Sequence, residues 1–288
     1  MLVALCMIWG LTWPVIRIAL YEIPPLSMRT ATTALGALTL YLACRVQGRS
    51  LRMPNRAAWV HVTIASLLNI VAFTVFGAFA QLTAATSRVT ILAYTMPIWT
   101  VLFAWLLLGE RPNRTQAAAL ALCGGGLAIL IYPLAETRIP SGIWLALLTG
   151  VCWAVGTIYL KWARIKADSM AISSWQVTIA FIVTAALTLI FEGGLHFAGA
   201  SPVALLCTAI TGFFTNGIAY GLWFAIVRRL PAATASLGVL GSPVIGVIAS
   251  IVMLGEHPTA ADLIGFALIL AASTCVLLAR PPAARAGV

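Results

Sequence analysis

The sequence predicts an all-α integral membrane protein of ten transmembrane helices, arranged as two inverted five-helix repeats. Three observations carry this reading. Hydrophobic residues make up 62% of the 288 positions and charged residues only 8%, so a bilayer is the natural solvent. Apolar runs of the roughly 20 residues that cross a hydrocarbon core recur along the chain. Finally, Pro97–Pro112 returns without a gap as Pro243–Pro258, 146 residues later. Six of the sixteen paired positions are identical: Pro97/Pro243, Val101/Val247, Leu108/Leu254, Gly109/Gly255, Glu110/Glu256 and Pro112/Pro258.

Spans are expected near 2–20, 25–44, 58–80, 86–108, 115–132, 142–160, 170–191, 203–226, 231–254 and 260–279. The first lacks a basic leader and a small-residue cleavage site and carries Trp9, Trp13 and Arg17, so it reads as a retained helix rather than a signal peptide. After the second comes the longest polar connection, Gln47 to Asn55, which is basic. The third span holds Asn69 and Phe73, matched in the eighth by Asn216 and Tyr220 at an offset of 147. The fourth and ninth are the Pro97 and Pro243 segments. Trp153 in the sixth echoes Trp9 in the first. The two halves are then 1–138 and 139–288, forming one transport unit. Pro14, Pro97 and Pro243 fall inside spans, where a missing N–H kinks a helix, and they are the expected hinge or gating positions.

Charge placement sets the orientation. With the N-terminus cytosolic, thirteen of the seventeen Lys and Arg residues fall on the cytosolic side, and Arg17, Arg29, Arg88 and Arg138 on the far side. Lys and Arg mark the cytosolic face, so the two copies of the repeat cross in opposite directions and both termini are cytoplasmic. Inverted repeats are an architecture of secondary transporters. The net charge of +10 is spread over separate cytosolic segments and forms no nucleic-acid surface. All six cysteines fall in spans, without metal spacing, and read as small apolar packing residues. H-E-x-x-H, G-x-S-x-G and P-loop signatures are absent, and no carboxylate sits mid-span, which argues against an enzyme and against a carboxylate-driven proton antiporter. No cofactor or metal is expected.

The chain resembles the EamA-type exporters of the drug/metabolite transporter superfamily. The resemblance rests on Trp9-Gly10-Leu11-Thr12-Trp13-Pro14 and on the two Gly-Glu-x-Pro segments, and it extends over the whole chain. It implies export of amino acids, aromatic ones included, across a bacterial inner membrane, by a monomer or weak dimer whose partners are the small substrate and the lipid. It also implies that spans 1, 3, 4, 6, 8 and 9 line the substrate site. Polar and aromatic residues sharing faces of those spans are Trp9, Thr12 and Trp13; Asn69 and Phe73; Tyr94; Trp153 and Thr157; Asn216 and Tyr220; and Ser236. Aromatic faces can stack on an aromatic cargo and hold an ammonium. Trp59, Trp105, Trp144, Trp162 and Trp175 read instead as an interfacial belt. Glu110 and Glu256 read as structural helix ends, and Arg17, Arg29 and Arg88 as cations reaching towards the outer interface, with drawing a carboxylate outward as the alternative. Facilitated transport is expected; a broad metabolite or drug exporter of the same fold, with proton coupling, is the alternative.

Overall fold

The computed structural model describes residues 1–109, 111–135, 139–220, 222 and 241–278. All regular structure among them is helical. The helices are α1 (Leu2–Leu20), α2 (Pro25–Val46), α3 (Arg56–Ser66), α4 (Phe73–Thr83), α5 (Thr86–Ala93), α6 (Met96–Leu108), α7 (Arg114–Ala135), α8 (Ser141–Ala163), α9 (Ser169–Leu187), α10 (Pro202–Ile210), α11 (Gly241–Leu254) and α12 (Ala260–Leu278). Six segments are long and apolar enough to cross a membrane: Val3–Leu20, Arg56–Thr83, Thr86–Leu106, Arg114–Leu134, Ser141–Ala163 and Ser169–Glu192. Shorter apolar helices cover Pro202–Ile218, Gly241–Leu254 and Ala260–Val276. The protein is therefore a multi-helix membrane protein, with boundaries close to those the apolar runs predict.

Two local departures were not predicted. The third span is continuous over Arg56–Thr83 but passes through a π-helical segment, Leu67–Ala72, between α3 and α4. A second π segment, Thr211–Ile218, extends α10. Asn69 and Asn216 sit one in each. The fourth span breaks at Tyr94–Thr95 into α5 and α6. The Thr95 hydroxyl donates to the Leu92 carbonyl at 2.6 Å and accepts from Trp99 Nε1 at 2.9 Å, fastening the break. Pro97 is thus not a kink in a running helix. It lies in the first turn of α6, where a missing N–H leaves no bond unmade. Pro243 likewise lies in the first described turn of α11, whereas Pro14 is inside α1.

α1 packs on α11 and α10, α8 on α4 and on α5–α6, α2 on α9 and on the 211–218 segment, α3 on α9, and α7 on α12. The α7–α12 contact is backbone to backbone. A Cβ at Gly126 would stand 2.9 Å from Ile269 Cγ1 and 3.0 Å from the Gly265 carbonyl, so only glycine permits this approach.

One end of the molecule is fastened by carboxylates. Glu192 accepts from the Leu26 and Ser27 amides at 2.8 and 2.7 Å, at the start of α2. Glu256 accepts from the Thr86 and Ser87 amides, at the start of α5. Glu22 accepts from the Ser201 amide and hydroxyl, at the N-cap of α10. Arg88 makes a two-pronged pair with Asp262, at 2.6 and 2.9 Å. Asp262 is only 3% exposed, and it also accepts from Thr259. The opposite end is joined by Arg49–Asp168 at 2.8 Å, by Trp59 edge-on to Trp175, and by His61 Nδ1 to the Tyr159 hydroxyl at 2.7 Å.

Replacing Asp262 by Ala leaves Arg88 unpaired at a buried site. It should cost about 3 kcal/mol of stability, measured by SDS titration of the purified protein. Arg88→Met with Asp262→Leu should recover most of that loss. The Ser201 amide and hydroxyl hold the Glu22 carboxyl below its ordinary 4.5. A carboxyl depressed on folding stabilises above its ordinary value, and that contribution fades as pH falls through the lowered one. Hydrogen exchange at the Ser201 amide should therefore accelerate only below about pH 4.5, and Glu22→Gln should abolish the dependence.

Candidate functional site

The interior between α1, α4, the α5–α6 break and α8 gathers aromatic rings from four spans. Trp13 of α1 lies edge-on to Phe73 of α4, with centroids 6.3 Å apart. Phe73 in turn meets Trp153 of α8 at 5.0 Å. The Tyr94 phenol, at the break in span four, lies beside the Trp13 indole and Ser242 of α11. Gly77 and Gly246 line the indole: a Cβ at either would stand in ordinary contact with Trp13, at 3.7 and 3.5 Å. The α5–α6 break matters here, because Tyr94 and Thr95 leave the helical repeat just where the chain passes this cluster.

Two polar atoms border it without a directed hydrogen bond: Asn69 Oδ1 and Ser242 Oγ, both buried. Asn69 is pressed against α8 one turn beyond Trp153. A Cβ at Gly156 would fall 2.2 Å from Asn69 Oδ1, so glycine is what admits the amide. The π segment carries Asn69 into this corner; such segments recur at functional positions.

Other expected site residues lie differently. Thr12 donates to the Ile8 carbonyl and bonds the Thr215 hydroxyl at 2.6 Å, tying α1 to the 211–218 segment. Trp9 is partly buried one turn before Trp13. Thr157 is exposed, with its hydroxyl bonded to the Trp153 carbonyl. Asn216 faces α2, donating to the Thr32 carbonyl at 3.1 Å, while its Cβ packs where a side chain at Gly36 would stand. Tyr220 packs on the Ile70, Val71 and Ala180 cluster. Ser236 lies outside the described residues. Ser242 and Gly156 were not anticipated; their only sequence signal is position, beside Pro243 and one turn after Trp153.

The outer cations are not alike. Arg88 is paired with Asp262. Arg17 donates to the Gln81 carbonyl and lies 4.8 Å over the Tyr21 ring. It lines a cleft of about 320 Å³ with Leu82, Thr83, Leu254 and Glu256. Arg29 does not reach towards an interface at all: it is 4% exposed, which corrects the expectation of a cation extended to the interface.

Among the described residues no three His, Cys, Asp or Glu side chains converge as metal ligands, and the cysteines are free thiols, four of them buried. The aromatic cluster can stack, exclude water and offer a few polar atoms. It presents no nucleophile beside a base.

Sequence comparison places this many-helix fold in a transporter family. The pattern of the EamA-like transporter family matches twice, over residues 1–132 and 140–278, and the chain belongs to that family, within the drug/metabolite transporter superfamily. It is 25% identical to a probable amino-acid metabolite efflux pump of Salmonella typhimurium, covering 92% of this chain and 89% of the relative. It is 23% identical to a probable terminal-alkyne amino-acid exporter of Streptantibioticus cattleyicolor, over 91% and 87%. A solved crystal structure 22% identical in sequence shares the fold with a TM-score of 0.66, over 94% of both chains.

Gly156→Ala should drive a methyl into Asn69 and destabilise the protein by about 1–3 kcal/mol. Adding Asn69→Ala should return most of that loss. Melting curves of the single and double variants would show this coupling, and simple additivity would show that the two groups do not meet.

Proposed function

We propose that the protein exports amino acids, aromatic and other neutral or hydrophobic ones, from the cytoplasm across a bacterial inner membrane. Two inverted five-helix halves, 1–138 and 139–288, alternate access to a site between them, and both termini are cytoplasmic. The observation that carries the reading is the Trp13–Phe73–Trp153 row with Tyr94 beside it. It draws on both halves and offers stacking faces to an aromatic or apolar side chain. Asn69 Oδ1 supplies an unmet polar atom at its margin, and Ser242 lies beside the Tyr94 phenol.

The helix contacts support the inverted repeat. Exchanging each span with the one five further on turns α1 on α11 into α8 on α5–α6, and α2 on the 211–218 segment into α9 on α3. The twofold match of the family pattern fits the same division. The relatives' names, an amino-acid efflux pump and an amino-acid exporter, favour this cargo. The excess of Lys and Arg on one side supports cytoplasmic termini. Facilitated movement fits a cluster that contains neither a carboxylate nor an imidazole.

The test is flux from liposomes loaded with labelled tryptophan, methionine, leucine or glutamate, with and without a pH gradient. Tryptophan, methionine and leucine should leave saturably at a rate the gradient does not change, with glutamate retained. Phe73→Ala and Trp153→Ala should each raise the half-saturating tryptophan concentration about 3- to 10-fold, the worth of one aromatic contact. If no amino acid moves, the cargo assignment is wrong. A strict need for the gradient would replace facilitation by proton coupling.

A further inference from the structure

Arg29 sits in the second turn of α2 and is 4% exposed. Its Nε is fully enclosed without a partner, and its guanidinium makes no hydrogen bond or ion pair among the described residues. Among the described residues, the carboxylates at this end are committed elsewhere. Glu192, Glu256 and Glu22 hold backbone amides, and Asp262 holds Arg88. Thr30 and Thr33, on either side of Arg29 along α2, bond Thr188 and Thr184 of the α9 span. An arginine cannot shed its proton to escape burial, and an uncompensated charge away from water is costly. A buried cation in a membrane span is by default a place where something binds.

A second unmet donor lies at the same end. Gln81 of α4 is 0% exposed, and its Nε2 has no partner. α4 packs on α2, and Met28 and Ala78 belong to one apolar cluster. Gln81 is one turn beyond Ala78, and Arg29 follows Met28. Long helical side chains lean towards their helix N-terminus, which for α2 is the end where α4 finishes. Arg29, in the second turn of α2, and Gln81, in the last turn of α4, thus lie at the same end of the α2–α4 interface.

We propose that Arg29, with Gln81, forms an anion station on the transport path, separate from the aromatic cluster and nearer the carboxylate-fastened end. Along α4, Gln81 is eight residues beyond Phe73, about 12 Å at the helical rise. The guanidinium fork matches a carboxylate two-prongedly, and the Gln81 amide meets a remaining lone pair. A departing amino acid would leave the rings and be caught by its carboxylate. Only the identity of the anion rests on the amino-acid reading above; the station itself rests on the unpaired guanidinium. A free anion such as chloride shares the chemistry.

The experiment is thermal stabilisation of the full-length protein in detergent by indole-3-propionate, tryptamine and chloride, in the wild type, Arg29→Gln and Arg29→Lys. Indole-3-propionate should stabilise the wild type. Arg29→Gln should raise its half-effective concentration at least about tenfold, the scale of a lost charged hydrogen bond. Tryptamine, which lacks the carboxylate, should be unaffected, and Arg29→Lys should be intermediate. Equal effects on both probes, or none on either, would overturn the proposal. So would chloride that stabilises through Arg29 and is not displaced by indole-3-propionate. If Arg29→Gln does not fold, phenylglyoxal labelling of wild-type Arg29 should be blocked by indole-3-propionate and not by tryptamine; equal labelling with either would overturn it. Arg29-dependent carboxylate binding without amino-acid flux would leave the station standing and remove the amino-acid reading.

Discussion

A helix beginning at the edge of a bilayer starts with amide N–H groups that have no partner of their own. Most of the tertiary structure of this protein follows from how that deficit is met. The start of α2 is capped by Glu192 from the end of the α9 span, the start of α5 by Glu256 beyond α11, and the N-cap residue of α10 by Glu22 beyond α1. The Gly142 amide, at the start of α8, donates to Thr83 Oγ1 beyond α4. Each cap therefore joins two spans distant in sequence. A carboxylate at a helix N-terminus also meets the positive end of the helix dipole, which adds to each tie. Acidic residues gather at this end because that is where they satisfy backbone donors.

With that end fastened, the interior is left to shape. Rings from α1, α4, α8 and the α5–α6 break meet where Gly77 and Gly246 line Trp13. Asn69 enters the corner because a π segment turns it towards Gly156. The site is thus assembled from irregular backbone: a broken helix and a widened one. Both are tolerated because neighbouring spans and Ser or Thr side chains take up the freed groups, as Thr95 does at the break. Polar side chains on the spans serve chiefly their own backbone or a neighbouring helix, which explains why several polar residues suited to a ligand do not face the cluster. Thr157 and Asn216 are the clearest cases.

The sequence by itself determined the apolar, all-helical character of the chain and the bounds of most described helical segments to within a few residues. Those properties are local or periodic: an apolar run must reside in lipid, and Asn69 and Phe73, or Trp9 and Trp13, share a face simply by being four residues apart. The repeated Pro97 and Pro243 segments similarly needed only comparison of the chain with itself. Which spans touch is not local, and only the tertiary structure decided what depended on it. It set Thr157 on an exposed face and turned Asn216 towards α2. It placed Pro97 at the head of a new helix, and it buried most of Arg29 instead of leaving it to extend to the interface. The physical reason is common to all four. A side chain's partners in a membrane bundle come from whichever helix packs beside it, and a stretch of twenty residues carries no record of its neighbour.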